Sequence, residues 1–369
     1  MPAVRLRRED GAAGMRAFPP EGPIAMPSRI LICSRRDDQH ARIVAAALRK
    51  IGAYVALWDM QDYPARQHIS VDIAATGARM AVQGMEPDFA QRCDAIWLRR
   101  IAWDGHACRE AGQPLDLAGL HAAMFMDHIL ELVPGRARWV NAFDRAIRAE
   151  SKANQLVAAA AVGFHVPETL VSNDPRAIRG FARSLGAPVV AKPLRAEWVQ
   201  GHDGSMRSLR AELFDETRIR DDRVLAAGPY VFQRRLDAAF EVRVTVIGHH
   251  IFAARIDTQG DDDVVDMHDR TLTFRAFALP APITQLCVDL GTRLGLAHYC
   301  IDLLASDAGT FHFLEVNQAG QFLWLEQLMP EHRCLAAFCA LLLGTSALPD
   351  VTLASTVASL PCGDRHEPN

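Results

Sequence analysis

Lysine is nearly missing from this chain: Lys50, Lys152 and Lys192 are the only ones among 40 basic residues, and the rest are arginine. A planar guanidinium fork and a compact ammonium are not interchangeable, so a lysine kept against that bias marks a wanted point charge or is a chance survivor. Long apolar runs are missing too. No stretch reaches the roughly 18 residues of a spanning helix, which excludes a helical membrane protein. The eight cysteines are scattered, without C-x-x-C or paired ligand spacing, so they read as reduced thiols of a cytoplasmic protein. Neither sign of charge dominates. Forty basic against 44 acidic residues leave −4, too weak a field to hold a polyanion, and nucleic acid is excluded as a partner. No G-x-G-x-x-G follows the first apolar run at Ile30 to Cys33, so nothing supports a dinucleotide site there. Arg5, Arg7 and Arg8 precede no apolar h-region, and export by a signal peptide is not expected.

What is there is an ordinary balance for a packed chain: 369 residues, half of them hydrophobic and 23% charged, with room for two or three domains. Residues 1–26 read as a disordered extension. Ile30 to Cys33, Tyr54 to Leu57 and Ala95 to Leu98 read as strands, and Ile43, Val44, Ala47, Leu48 and Ile51 recur at helical spacing, so 27–140 is expected to be an α/β domain. A helix starting at Asn141 or Asp144 should pass through Lys152, Leu156 and Val157 and stop at Gly163. The strand Ala187 to Ala191 ends at Lys192, and 194–208, with Gly201, Gly204 and Ser205, reads as a mobile loop. Strands resume from Tyr230 to Asp257 with a tight turn at Gly248-His249, followed by a loop bearing Asp261, Asp262, Asp263, Asp266 and Asp269. A helix near Ile283 to Leu294 precedes strands His298 to Leu304 and Thr310 to Val316, and the tail 346–369 reads as loose. The remaining boundaries fall at 141–228 and 229–345. The class is α/β and α+β.

Chemistry concentrates in the last strand pair. A two-residue turn at Ala308-Gly309 pairs residues so that Asp302 lies across from Glu315, with Asn317 further along the same face. Facing carboxylates repel and call for a cation. Two carboxylates and an amide oxygen suit Mg²⁺, which usually also meets substrate phosphates; alternatively, either acid faces solvent or pairs with an arginine. Lys152 and Lys192 lie upstream as candidate phosphate ligands or as surface charges. Glu241, Arg243 and Thr245 share one strand face, where Arg243 is a fixed cation or half of a structural pair with Glu241.

The order of these pieces resembles the ATP-grasp superfamily over about 141–330: a helix lysine, a lysine after a strand, a small-residue loop, a strand with Gln233, a V-R-V strand, then D-x12-E-x-N. The run from Phe313 to Glu326, FLEVNQAGQFLWLE, resembles a stretch of the microviridin-type peptide ligases that mature graspetides. Asp38 to Ala41 (DQHA) and Ile96 to Arg100 (IWLRR) are similar to early motifs of that group. Gln318 stands where that group has Pro, Phe322 where it has Trp, and Asp266-Met267-His268 where many have D-W-R. The resemblance implies an ATP-grasp fold behind an N-terminal pre-ATP-grasp domain, with ATP and Mg²⁺ as cofactors. It assigns the metal to Asp302, Glu315 and Asn317. The nucleotide falls to Lys152, Lys192, Gln233, Arg234, Leu236, Asp237 and Glu241, and catalysis to Arg243 and Lys192. It further implies a ribosomal precursor peptide, leader plus core, as partner, and a homodimer as one assembly. The reaction implied is activation of Asp or Glu side chains as acyl phosphates and closure onto Ser, Thr or Lys. A ligase that adds a free amino acid, and a non-catalytic ATP-binding regulator, are the alternatives.

Overall fold

The computed structural model describes residues 27–360 apart from 76, 88, 100–116, 133–136, 195–197, 201–205, 209–210, 218, 220 and 260–270. Strand β1 (Arg29–Cys33) feeds helix α1 (Gln39–Lys50), which begins where the Asp38 carboxylate accepts the Ala41 N–H at 3.0 Å. Ile43, Val44, Ala47 and Leu48 are buried on one stripe of that helix, the face its spacing predicts. Strand β2 (Tyr54–Trp58), a hairpin of β3 (Ile69–Ala74) and β4 (Gly77–Val82), β5 (Ala95–Leu98), α2 (Leu117–Ile129) and β6 (Arg138–Val140) follow. The parallel sheet runs β2-β1-β5-β6, as expected of 27–140; the β3–β4 hairpin is additional to that expectation.

Where one helix is expected after Asn141, two form: α3 (Phe143–Ala149) and α4 (Lys152–Val162). The break is chemical. The Ser151 hydroxyl accepts the Asn154 N–H and starts a new helix, which puts Lys152 in its first turn, and Gly163 closes it at φ 106°. Then come β7 (Thr169–Ser172), α5 (Pro175–Leu185), β8 (Val189–Lys192), β9 (Trp198–Gln200), β10 (Met206–Ser208), β11 (Glu212–Leu213), α6 (Asp222–Ala226) and β12 (Tyr230–Arg234). They build the antiparallel sheet β11-β8-β12-β7, one face of which packs Phe232, Val189 and Leu170 on Ile178 of α5. The expected loop at 194–208 contains the antiparallel pair β9–β10, while Gly201, Gly204 and Ser205 lie outside the described residues.

A second antiparallel sheet, β15-β14-β13-β16-β17, comprises β13 (Phe240–Ile247), β14 (His250–Gln259), β15 (Thr271–Ala276), β16 (His298–Ala305) and β17 (Phe311–Asn317), with α7 (Ala281–Leu294) crossing one face. Gly248 takes φ +59° in the tight β13–β14 turn. The aspartates from Asp261 to Asp269 fall outside the described residues, as do Asp266-Met267-His268 and residues 1–26. Helices α8 (Leu323–Leu328), α9 (Cys334–Leu343) and α10 (Leu353–Ser359) end the described chain.

These last helices correct the expectation of a loose tail from 346. Val351, Leu353 and Thr356 are buried, and the cluster that Val351 and Leu353 join holds Ile30 and Ile32 of β1, Val44 and Leu48 of α1, Ile247 of β13 and nearly all of α9. A helix apolar on every side, as α9 is, needs partners all round. The N-terminal sheet with α1 lies on one side of it and the five-stranded sheet on the other. Among the described residues no helix is long and apolar enough to cross a membrane.

Candidate active site

Asp302 of β16 pairs with Glu315 of β17, as expected, but the turn is not the expected one. Beyond the turn Ala305 faces Phe311 and Leu303 faces Phe313, and the Ser306 N–H donates to Thr310 C=O at 2.9 Å, so the loop is Asp307-Ala308-Gly309 with Gly309 at φ +77°. A register shift between Leu303 and Asp302 takes up one residue of β17 at Leu314, and Asp302 meets Glu315 after all. Each carboxylate is already met by a cation. Arg243 Nη1 donates to both Asp302 oxygens at 2.8 Å, and Lys152 Nζ donates to Glu315 Oε2 at 2.6 Å.

Strand alternation and register explain the convergence. Arg243 pairs with Asp302 across β13–β16, so Glu241, Arg243 and Thr245 share the face of the two acids, while Val242, Val244 and Val246 enter the core beneath α4 and α7. Lys192 lies on the opposing sheet, on the β8 face away from α5. Its Nζ donates to Gln233 Oε1 at 2.8 Å, and Gln233 Nε2 donates to Thr169 Oγ1 at 2.9 Å, so Lys192 is aimed by a neutral amide. Gln233 is 3% exposed and shares the Lys192 face; Arg234, the next residue on β12, turns to the other and pairs with Glu168 at 2.8 Å. Leu236 and the exposed Asp237 sit in the connection 235–239, which ties one sheet to the other through Arg235 N–H to Pro188 C=O and Ala239 N–H to Ala305 C=O, each 2.8 Å.

The charges are mutually tuned. Burial raises the Asp302 pKa and the facing Glu315 adds to this, against the pull of Arg243. For Glu315, burial is outweighed by Lys152, then Lys192 and Arg243, and its carboxyl titrates lower than usual. Burial lowers the Lys192 ammonium, with Lys152 adding to it and Glu315 opposing. Arg243 stays charged, because burial is outweighed by Asp302 and Glu315.

The donor set fits Mg²⁺. Asp302 and Glu315 are adjacent carboxylates, and Asn317 Oδ1 accepts the Ala319 N–H at 3.1 Å with a second lone pair to spare. No group of three or more His, Cys, Asp or Glu side chains able to hold a metal occurs among the described residues, so a metal here relies on two acids and an amide.

The segment after Asn317 is held from both sides, by residues whose roles the sequence reading does not assign. The Asn141 amide donates to His298 and Gln318 C=O at 2.8 and 2.9 Å and accepts the Ala297 N–H at 2.7 Å, which makes Asn141 a clamp rather than a helix cap. His40 Nε2 accepts the Phe322 and Leu323 N–H groups, both at 3.3 Å. Arg99 pairs with Asp38 at 3.4 Å and donates to Ala319 C=O. DQHA and the Arg99 end of IWLRR are thus a brace on the Gln318–Leu323 segment; Arg100 lies outside the described residues. Gly320 belongs to the same packing: a Cβ there would lie 2.8 Å from Cys300 Cβ and 3.2 Å from Arg243 Nη2.

No protein-family model and no curated protein sequence matches the chain. Solved structures do. The macrocyclase MdnC bound with precursor peptide MdnA from Microcystis aeruginosa MRC aligns at a TM-score of 0.71 and 22% identity, over 85% of this chain and 99% of that one. The Chryseobacterium gregarium RiPP-associated ATP-grasp ligase, in complex with ADP and a leader and core peptide, aligns at 0.72 and 23%, over 86% and 96%. The ATP-grasp ligase PsnB, complexed with a phosphomimetic variant of minimal precursor, Mg and ADP, aligns at 0.66 and 23%, over 85% and 99%. At these identities the likeness is one of fold, and the fold of this chain is that of the ATP-grasp ligases.

Proposed function

We propose that this protein is an ATP-dependent peptide ligase that closes side-chain rings in a ribosomally made precursor peptide. The observation that carries the reading is the Asp302–Glu315 pair, with Lys152, Arg243 and Lys192 gathered around it. The solved relatives that share the fold are described as bound to precursor or leader and core peptides, two of them with ADP.

The reaction must bring anions together. A peptide Asp or Glu oxygen attacks the γ-phosphorus of ATP, ADP departs, and an acyl phosphate remains. A Ser or Thr hydroxyl, or a Lys amine, of the same peptide then attacks the acyl carbon; the nucleophile loses a proton and phosphate leaves, so each bond costs the peptide one water. Asp302, Glu315 and Asn317 would hold Mg²⁺, which when bound supplies charge neutralisation at the phosphates. Lys152 and Lys192 hold phosphate oxygens, Lys192 being aimed by Gln233. Arg243 faces the reacting oxygens, its charge secured by Asp302. Such fixed cations in a partly dry cleft, together with alignment, supply most of the rate in phosphoryl transfer. The 235–239 connection, with Leu236, Asp237 and backbone from Arg234, borders the adenine and ribose, and Glu241 approaches from β13. The β9–β10 hairpin serves as the cover that keeps water from the acyl phosphate.

The test is incubation of the purified protein with ATP, Mg²⁺ and the peptide encoded beside its gene, if that peptide is rich in Thr or Ser and Asp or Glu. Loss of one water per bond, with ADP formed in equal number, supports a ring-closing ligase. With a free amino acid also supplied, a mass gain of that amino acid less one water supports the free amino-acid ligase, and ATP binding without turnover on any peptide supports the regulator.

A further inference from the structure

Strand β17, which carries Glu315, is the edge of the five-stranded sheet, and an edge strand needs partners for its outward backbone groups. Gln155 supplies them for one residue. Its Oε1 accepts the Val316 N–H at 2.9 Å and its Nε2 donates to Val316 C=O at 2.8 Å, so a single side chain pairs with the strand as another strand would. Nε2 also donates to Ala149 C=O at 2.6 Å, at the end of α3, and the side chain is buried. Gln155 lies one turn after Lys152 on α4, and Val316 directly follows Glu315. One turn therefore separates the clasp from the ammonium, and one residue separates it from the carboxylate. A second amide works the same seam from the other end: Gln318 Nε2 donates to Glu150 Oε1 at 3.0 Å, at the first of the two residues between the helices.

We infer that Gln155 is a positioning residue for the nucleotide site: by clasping the Val316 backbone it holds Lys152 in fixed register with Glu315, so that phosphate and metal ligands close on a nucleotide as one unit. Lysine has a long flexible stem, and without a set root its ammonium could not keep a 2.6 Å contact with Glu315 at low entropic cost. The apolar contacts of α4 with the sheet, through Leu156 and Ala159, fix its packing depth but not its slide along β17; the two hydrogen bonds to Val316 do.

This rests on the proposed ATP-grasp activity, and the test separates the two. Calorimetry with Mg·ADP is run on the wild type, Gln155→Met, Lys152→Ala and the double variant, with circular dichroism confirming that each is folded. Gln155→Met is expected to weaken Mg·ADP about tenfold or more, yet to change binding less than twofold once Lys152 is already Ala, since the clasp then has nothing to place. An equal loss in both backgrounds, or none in either, overturns the inference and leaves the function standing. Failure of the wild type to bind Mg·ADP overturns the functional reading itself. The intact protein gives a second measurement should Gln155→Met not fold: amide hydrogen exchange at Val316. Protection matching the interior of β16 agrees with the clasp, and the rapid exchange of an open edge overturns it.

Discussion

At the scale of single residues, the candidate site depends on groups whose charge is set by neighbours. Glu315→Gln removes a carboxylate that Lys152, Lys192 and Arg243 hold ionised, and Lys192→Ala removes an ammonium lodged against Gln233. Either change is expected to lower ATP-dependent ligation about 100-fold or more while the circular dichroism spectrum stays that of the wild type, since donors to developing charge carry effects of that size. Near wild-type product from folded variant would remove the residue from the site. His298 gives a pH prediction of a different kind. It is 1% exposed, and burial drives its pKa down to about 4, against the Val246 and Gly320 carbonyls that favour the charged ring. The unfolded chain binds this proton near pH 6.5 and the folded chain does not until about 4. The contribution of His298 is therefore complete above about pH 6.5 and is lost as pH falls through that window, by about 3 kcal/mol at most. Thermal unfolding followed from pH 7 to 4.5 should show the decline, and His298→Gln should flatten it; an unchanged slope in the variant would assign the acid lability elsewhere.

At the scale of elements, the hairpin that faces Asp302 with Glu315 is legible in the sequence for a reason that is partly fortunate. Counting outward from a two-residue turn gives the right partners, yet the turn has three residues and a bulge at Leu314 restores the register. Bulges leave no composition signal as plain as a glycine, so the pairing could be read and its path could not. The helix break before Lys152 is open to reading: Ser151 is a good N-cap, but an apolar pattern running from Ala146 to Val162 hides an interruption of only Glu150 and Ser151. Buried acids that serve backbone are the hardest to see. Glu326, inside FLEVNQAGQFLWLE, accepts the Leu335 N–H through Oε2 and the Leu353 N–H through Oε1, both at 2.7 Å, so one carboxylate caps α9 and α10 together. Nothing in the sequence tells such a cap from a ligand, because its partners lie 9 and 27 residues away. Glu326→Ala leaves two buried N–H groups unpaired and should cost about 2–4 kcal/mol of stability, read as a drop in denaturant midpoint. A midpoint within error of the wild type would mean that neither helix relies on it.

At the scale of the molecule, the first and last thirds of the chain form one core, and this is why the motifs at Asp38 to Ala41 and at Arg99 lie so far in sequence from the segment they hold. Spacing within a motif can be read locally; contact between motifs roughly 220 residues apart cannot, since it depends on α9 filling the space between two sheets. Of this brace, only the residue types and their likeness to a family were legible. Its energetics follow from burial. Arg99 and Asp38 have side chains 2% and 5% exposed, so Arg99→Met leaves the Asp38 carboxylate in the interior without that cation and takes the donor from Ala319 C=O. Removing one partner of a buried pair is expected to cost about 3–5 kcal/mol, far more than an exposed pair would. Asp38→Asn on its own should be mild, because Asn caps α1 about as well as Asp does at the Ala41 N–H. Combined with Arg99→Met, it removes the buried carboxylate charge and should recover part of the loss. The double-mutant cycle, measured by chemical denaturation, is thus expected to be strongly non-additive in the direction of rescue. Additive losses would show that Arg99 acts through the Ala319 carbonyl alone, and the brace would then be a single hydrogen bond to the Gln318–Leu323 segment rather than an ion pair locking α1 to the candidate site.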